Sequence, residues 1–263
     1  MKISSRNIAL VAVFASLYYV LSLISPYIPA VGLPDLKIKL EALMASVFGL
    51  ILGPYLGASA AFLGAFTTWV LPPSSTNPLD APFLLSPPIN AMVVGFIFYR
   101  KWKLAFSLFS VLIVAFIFLP PSQPLTDYYY VSVAVLWDKV IALLLIIPSV
   151  RFSQRLSNPK FLPFLFFFLS FIGNQADNMW GADIFAVPFV YEVVYSPALS
   201  PLIAAGFPTY LDAVRFLFTL SPFIYPAIRF VQAILATIIA VPLITTLKNT
   251  RWILKEPSII EQV

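Results

Sequence analysis

Near the end of one of its most apolar runs the chain reads "IGNQADNMWGAD", Ile172 to Asp183. Directly after "FLPFLFFFLSF", Asn174, Gln175, Asp177, Asn178 and Trp180 bring amides, a carboxylate and an indole together. Other polar groups interrupt apolar sequence in the same way. Asn90 stands in "SPPINAMVVGF", Asp138 and Lys139 in "VAVLWDKVIALLL", and Arg229 and Gln232 in "FIYPAIRFVQAIL". Such groups are costly in an apolar medium, so they face a bundle interior, one another or a watery cavity. Donors and acceptors mixed with an aromatic plane suit a site that holds a small polar molecule. A structural role is the alternative: Arg229 neutralises Asp138 or Asp177 and ties helices together. Simple solvation at the membrane surface is the third.

Catalysis is a poor fit. The chain has no histidine and no cysteine. The commonest proton shuttle and metal ligand is therefore missing, and so is thiolate chemistry. The eleven acids are scattered, with no pair at metal-ligand spacing on an evident helix. There is no nucleophile–base pair and no glycine-rich phosphate loop, so this chain does not hydrolyse ATP itself. No catalytic residue, metal or cofactor is expected.

The elements that position these residues are membrane helices. Of the 263 residues, 60% are hydrophobic and only 10% charged, against about 25% charged in soluble domains. A soluble core of this size cannot hide so much apolar surface, so the solvent is the lipid bilayer. Eight apolar segments stand out, at 6–25, 39–53, 55–71, 87–100, 104–119, 130–150, 161–177 and 222–247. The first is read as a retained span rather than a signal peptide, because "ISPYIPAVGLP" follows it where a small-x-small cleavage site belongs. Segments two and three share the hinge Gly53-Pro54. At about 15 residues each they make roughly 22 Å of helix, less than the bilayer core of about 30 Å.

The basic residues order these spans. With the N-terminus inside, Lys2, Arg6, Arg100, Lys101, Lys103, Arg151, Arg155, Lys160, Lys248, Arg251 and Lys255 all fall on the cytoplasmic side, eleven of the 16 Lys and Arg. That is the positive-inside pattern, and an odd number of spans breaks it. The net charge of +5 is thus a topology signal, and nucleic acid is not an expected partner. The outer connections are 26–38, 72–86, 120–129 and 178–221, with four prolines in "PPSSTNPLDAPFLLS". The last is apolar in places and broken by prolines, so it folds back as re-entrant or interfacial pieces, unless one or two of them are true spans. The expected fold class is an all-α integral membrane protein: a multi-helix bundle of about six core spans, up to eight in all, with both termini inside. It forms a single membrane domain over 1–263, with a short cytoplasmic tail at 248–263. In this topology Asn90, Asp138, Lys139, Asn174, Asp177, Asn178, Trp180, Arg229 and Gln232 share one depth near the outer face and form a candidate substrate site.

Small residues add a second element. Ala9, Ala12, Ala15 and Ser16 cluster on the first helix, and Gly49, Gly53 and Gly57 recur every fourth residue in "GLILGPYLG". Such spacing lets helix backbones approach closely in lipid, either within the chain or against a partner. Glu41, at the start of segment two, suits the positive end of a helix dipole.

The runs "RNIALVAVFASLYYVLSLISPYIP" and "LEALMASVFGLILGPYLGASAAFLGAF" resemble the substrate-binding S component of energy-coupling-factor (ECF) vitamin transporters. "GNQADNMWG" and "PAIRFVQAILATIIAVPLI" are similar to later segments of that family. The resemblance implies a plasma-membrane subunit that captures a vitamin or related small molecule from outside. It also implies docking on a transmembrane T subunit driven by two cytosolic ATPase subunits, through the first-helix positions Ala9, Ala12, Ala15 and Ser16. Four departures stand beside it: Ala12-x-x-x-Ser16 replaces an Ala-x-x-x-Ala pair, Ile228 stands where the resemblance implies a glutamate beside the arginine, Asn178 stands where it implies a histidine, and eight segments stand against a family core of six spans. A stand-alone secondary transporter, with Asp138/Lys139 and Asp177/Arg229 as coupling sites, is the alternative; an integral membrane lipid enzyme is a weaker one. The substrate itself stays open among riboflavin, thiamine, biotin, a modified base and an amino acid.

Overall fold

A computed structural model describes residues 4–25, 27–30, 32–72, 76–155, 161–220 and 222–249. The expected tail therefore lies outside the described residues beyond 249, as do Lys2, Lys160, Arg251 and Lys255 of the basic pattern. Helix α1 (Ser5–Ile24) begins where the Ser4 side chain accepts a hydrogen bond from the Asn7 amide, at 3.3 Å, and so satisfies one of the free N–H groups of the first turn. It buries Leu10, Phe14 and Tyr18, spaced four apart on one face, and Phe14 meets Phe48 edge to face at 5.1 Å. The expected outer loop 26–38 is instead an antiparallel β-hairpin, β1 (Tyr27–Ala30) and β2 (Leu33–Lys39), with Gly32 in the turn at φ +72°. It is the small exception to an otherwise helical protein.

Segments two and three are the two arms of one broken helix, α2 (Met44–Val70), entered through a 3₁₀ turn at Leu40–Leu43. Gly53 sits at φ +80°, ψ 178°, a conformation that glycine adopts without a Cβ clash, and Pro54 follows. The stretch Leu40–Val70 has the length of one long span, yet the chain reverses at Gly53. A Cβ on Gly57 would lie 2.7 Å from the Phe48 carbonyl oxygen and 3.0 Å from the Gly49 Cα, whereas residues eight apart in an unbroken helix are about 12 Å apart. Helix α3 (Ser86–Phe98) packs across this reversal, with Gly95 against the Pro54 backbone and Gly49 against the Ala91 carbonyl. The glycines of "GLILGPYLG" are therefore spent on contacts inside the chain, and not on a partner.

Helices α4 (Trp102–Phe118), α5 (Leu125–Arg155), α6 (Leu162–Phe185) and α9 (Ile224–Asn249) complete the bundle. Among the described residues five helices are long and apolar enough to cross a membrane: α1, Leu40–Val70, Ala81–Phe98, Leu125–Arg151 and Ile224–Thr246. Helix α4 is a shorter apolar helix, and α6 has the length, at about 36 Å, but a polar second half. Among the described residues of 178–220 there is no further span. Helix α6 continues to Phe185, and a π-helical turn (Val190–Val194), α7 (Ser196–Ala204) and α8 (Tyr210–Leu220) follow. The last two are roughly 14 and 17 Å long, too short to cross.

These short elements form a cap with a core of its own. Ala30 and Leu33 of the hairpin pack with Phe185, Tyr191, Tyr195 and Leu217, apart from the main core of the bundle. Contacts along the connections gather this cap and the four outer segments at one end. The Tyr19 hydroxyl donates to the Pro72 carbonyl at 2.9 Å, Trp137 Nε1 to Pro222 O at 2.9 Å, and the Tyr195 hydroxyl to Leu79 O. The Gly53–Pro54 reversal and the 99–103 turn meet at the other end, where Tyr99 donates to Ile51 O and Lys101 lies 5.8 Å above the Tyr55 ring. Arg215 of α8 holds the cap to the bundle. It donates to the carbonyls of Pro121 and Gln123, at 3.3 and 2.6 Å, and its guanidinium stacks 3.3 Å from the Tyr128 ring centroid. Arg215→Met removes these bonds at a cost of about 2–3 kcal/mol. Amide exchange in α8 should quicken while α2 and α3 stay protected; unchanged exchange in α8 would show that the clasp adds nothing.

Candidate functional site

The polar stretch does not terminate its helix. All of Ile172–Asp183 is helical within α6, so its side chains are distributed around an axis rather than splayed from a loop. Asn174, Asp177, Asn178 and Gly181 recur at i, i+3, i+4 and i+7, which places them on one face. The lower part of that face meets α3. Ser46 Oγ donates to Asn90 Oδ1 at 2.8 Å, and Asn90 Nδ2 donates to Asn174 Oδ1 at 2.8 Å. None of the three is more than 1% exposed. This chain of side-chain bonds ties α2, α3 and α6 together, and Gly173 makes room for it beside Asn90.

One turn further on, the same face opens onto a cavity of about 210 Å³. Its walls come from α1, the hairpin, the 3₁₀ turn Leu40–Leu43, the C-terminal end of α2, the 80–87 segment, α5, α6, α8 and α9. Tyr18, Trp69, Phe83, Phe185, Phe218 and Tyr225 give it an aromatic lining. Lys39, Glu41, Asp80, Lys139, Asp177 and Arg229 give it charge. Three cations thus face three acids, and most are paired within the protein. Lys39 Nζ lies 2.7 Å from Asp80 Oδ2, and Arg229 Nη1 lies 3.7 Å from Asp177 Oδ2. Lys139 Nζ lies 2.9 Å from the carboxylate of Asp138, just outside the wall.

The nine expected substrate residues thereby divide. Lys139, Asp177, Asn178 and Arg229 line the cavity. Asp138 and Gln232 stand behind it and hold wall residues, Gln232 by accepting from Arg229 Nη1 at 2.8 Å. Asn90 and Asn174 do not line it; they belong to the interhelical chain. Trp180 does not line it either, and its indole N–H is buried without a partner among the described residues. The structural alternative for Arg229 is partly met, since its acid is Asp177 while Asp138 serves Lys139. Of the four small residues on α1, Ala9, Ala12 and Ser16 are exposed, and Ala15 is buried within the chain.

Sequence reasoning missed the hairpin side of the site. Lys39 and Asp80 are 41 residues apart and sit in separate connections, so nothing local links them. Glu41 was visible as a lone acid ahead of an apolar run, and its dipole explanation concealed a second property: it is 5% exposed and lines the cavity. Trp69 was hidden at the end of a span, where its Nε1 donates to Asn77 O at 2.8 Å and fixes the loop beside it.

A bundle of apolar helices around a cavity lined by polar and aromatic groups, beneath a cap, defines a membrane protein built to hold a small molecule. Residues 2–149 match the family model described as the S component of ECF-type riboflavin transporters. The chain therefore belongs to the S-component family, as a substrate-binding membrane subunit of ECF transporters, which are not enzymes in this subunit. The match takes in α1 to most of α5; the walls supplied by α6, α8 and α9 lie beyond it. No curated protein and no solved structure matches the chain.

Proposed function

We propose that this subunit captures an uncharged, vitamin-like molecule from outside the plasma membrane in the cavity beneath its cap, and that riboflavin, the substrate in the family's description, is the first candidate. The observation that carries this reading is the pairing of charges in the wall. Each lining cation already faces an acid of the protein, at 2.7, 2.9 and 3.7 Å. An anionic ligand would have to compete with those acids, whereas a neutral ring with a polar edge and a hydroxylated chain needs only hydrogen bonds and aromatic contact. The capping end, with the hairpin and α8 over the cavity, faces outward in this reading, and the 53–54 and 99–103 turns face the cytoplasm. The basic residues at 100, 101 and 103 support that orientation.

Energy for release comes from elsewhere, since the sequence carries no glycine-rich phosphate loop. The exposed Ala9, Ala12 and Ser16 face of α1 docks on a T subunit served by two ATPase subunits, with Ala15 supporting the helix from its buried side. The test is titration of the purified chain with riboflavin, followed by quenching of flavin fluorescence, together with uptake into vesicles. Saturable quenching, and uptake only when the T subunit and ATPases are present, is the expected result. Absence of saturable quenching overturns the substrate; uptake by the chain alone overturns the docking and favours a secondary transporter.

A further inference from the structure

Glu41 is the one lining carboxylate whose acid group meets no ion-pair partner among the described residues. Asp80 accepts from Lys39, and Asp177 faces Arg229. Glu41 lies in the 3₁₀ turn Leu40–Leu43, packed between α1 and α9, with its residue 5% exposed and its side chain on the cavity wall. A buried carboxylate without donors is costly. The dipole of the following helix stabilises such a charge only in part. Its place on the wall leaves the carboxylate open to donors from the cavity.

We infer that Glu41 is a specificity-determining residue that accepts hydrogen bonds from hydroxyl or N–H groups of the bound molecule, and that it excludes ligands presenting a phosphate or carboxylate at that point. The inference rests on the reading of the cavity as the substrate site, and it names the chemistry of one edge of that substrate. Donors of the ligand complete a group that the fold leaves open. An anion there meets carboxyl oxygens with no cation of the protein between them, the repulsive half of selectivity. Among the charged lining groups no other can take this part: Lys39, Lys139 and Arg229 only donate, and Asp80 and Asp177 already face cations of the protein.

The experiment uses the full chain in detergent, with riboflavin and its 5′-phosphate ester as probes and flavin quenching as readout. Wild type is expected to bind riboflavin and discriminate against the phosphate. Glu41→Ala should weaken riboflavin about tenfold or more, the worth of hydrogen bonds to a charged acceptor. Glu41→Gln, which keeps the shape and one acceptor, should lose less and narrow the discrimination against the phosphate. The unfolding midpoint of both ligand-free variants should hold or rise, because no hydrogen bond to another described side chain is broken. Wild-type affinity in Glu41→Ala, or a midpoint that falls in both variants, overturns the inference while the substrate reading stands. A wild-type chain that binds neither probe overturns both.

Discussion

Gly49→Val and Gly95→Val abolish the folded chain, and even alanine at either position lowers its thermal unfolding midpoint in detergent. A Cβ on Gly49 would lie 2.4 Å from the Ala91 carbonyl oxygen, and one on Gly95 would lie 2.6 Å from the Pro54 nitrogen. Both obstacles are backbone, which cannot swing aside as a side chain does. Helix α3 would have to lift from the reversal of α2 along its length, and with it the buried Ser46–Asn90–Asn174 chain. Overpacking of this kind costs on the order of 3 kcal/mol when the neighbours cannot yield. Gly181→Ala is the matched control, because its Cβ would meet only the Phe83 ring, at 3.6 Å, an ordinary contact. Size-exclusion profiles and melting curves of the three variants decide the matter. A monodisperse Gly95→Val with the wild-type midpoint would show that α3 does not rest on the reversal.

The second large effect is expected at Arg229. Arg229→Met leaves Asp177, 4% exposed, without the cation beside it. Removal of one partner of a buried pair costs about 3–5 kcal/mol, because the other charge stays behind. The unfolding midpoint should drop and riboflavin quenching should be lost. Asp177→Asn strands Arg229 in the same way, although Gln232 still accepts one of its hydrogen bonds. The double variant Asp177→Asn, Arg229→Met separates two roles, since it removes both charges together. Recovery of the midpoint with quenching still lost is expected if the pair both ties α6 to α9 and touches the ligand. Recovery of both would make the pair a strut alone.

Much of the scaffold was legible in the sequence because its signals are local. Gly53-Pro54 announced the break of α2, since glycine alone adopts the required backbone freely and proline cannot continue the preceding turn. The prolines of 178–221 pointed to re-entrant or interfacial pieces, with one or two true spans left open. The end of α6 was misread at 177, because Asn, Asp and Gly are weak helix formers and the apolar run stops there. Helix α6 continues to Phe185 because its polar face turns inward, where Asn90 receives Asn174 and Arg229 faces Asp177. The hairpin was missed because its strands in "PYIPAVGLPDLKIK" are short and carry prolines, so the brief alternation of Leu36–Lys39 did not stand out.

The sequence by itself determined that the chain is a helical membrane protein, carries no histidine or cysteine, and keeps several ionisable groups among apolar ones. Hydropathy, charge and composition are sums over neighbours in the chain, and they survive without a fold. Only the tertiary structure decided which of those groups share a wall. Asp177, Arg229 and Lys139 meet across three helices; Asn90 and Asn174, read as ligand contacts, bind each other; and Glu41, read as a dipole cap, faces the cavity. Contact between residues far apart in the chain depends on how helices pack, and packing here is set by a few glycines and aromatic rings whose partners no local pattern records.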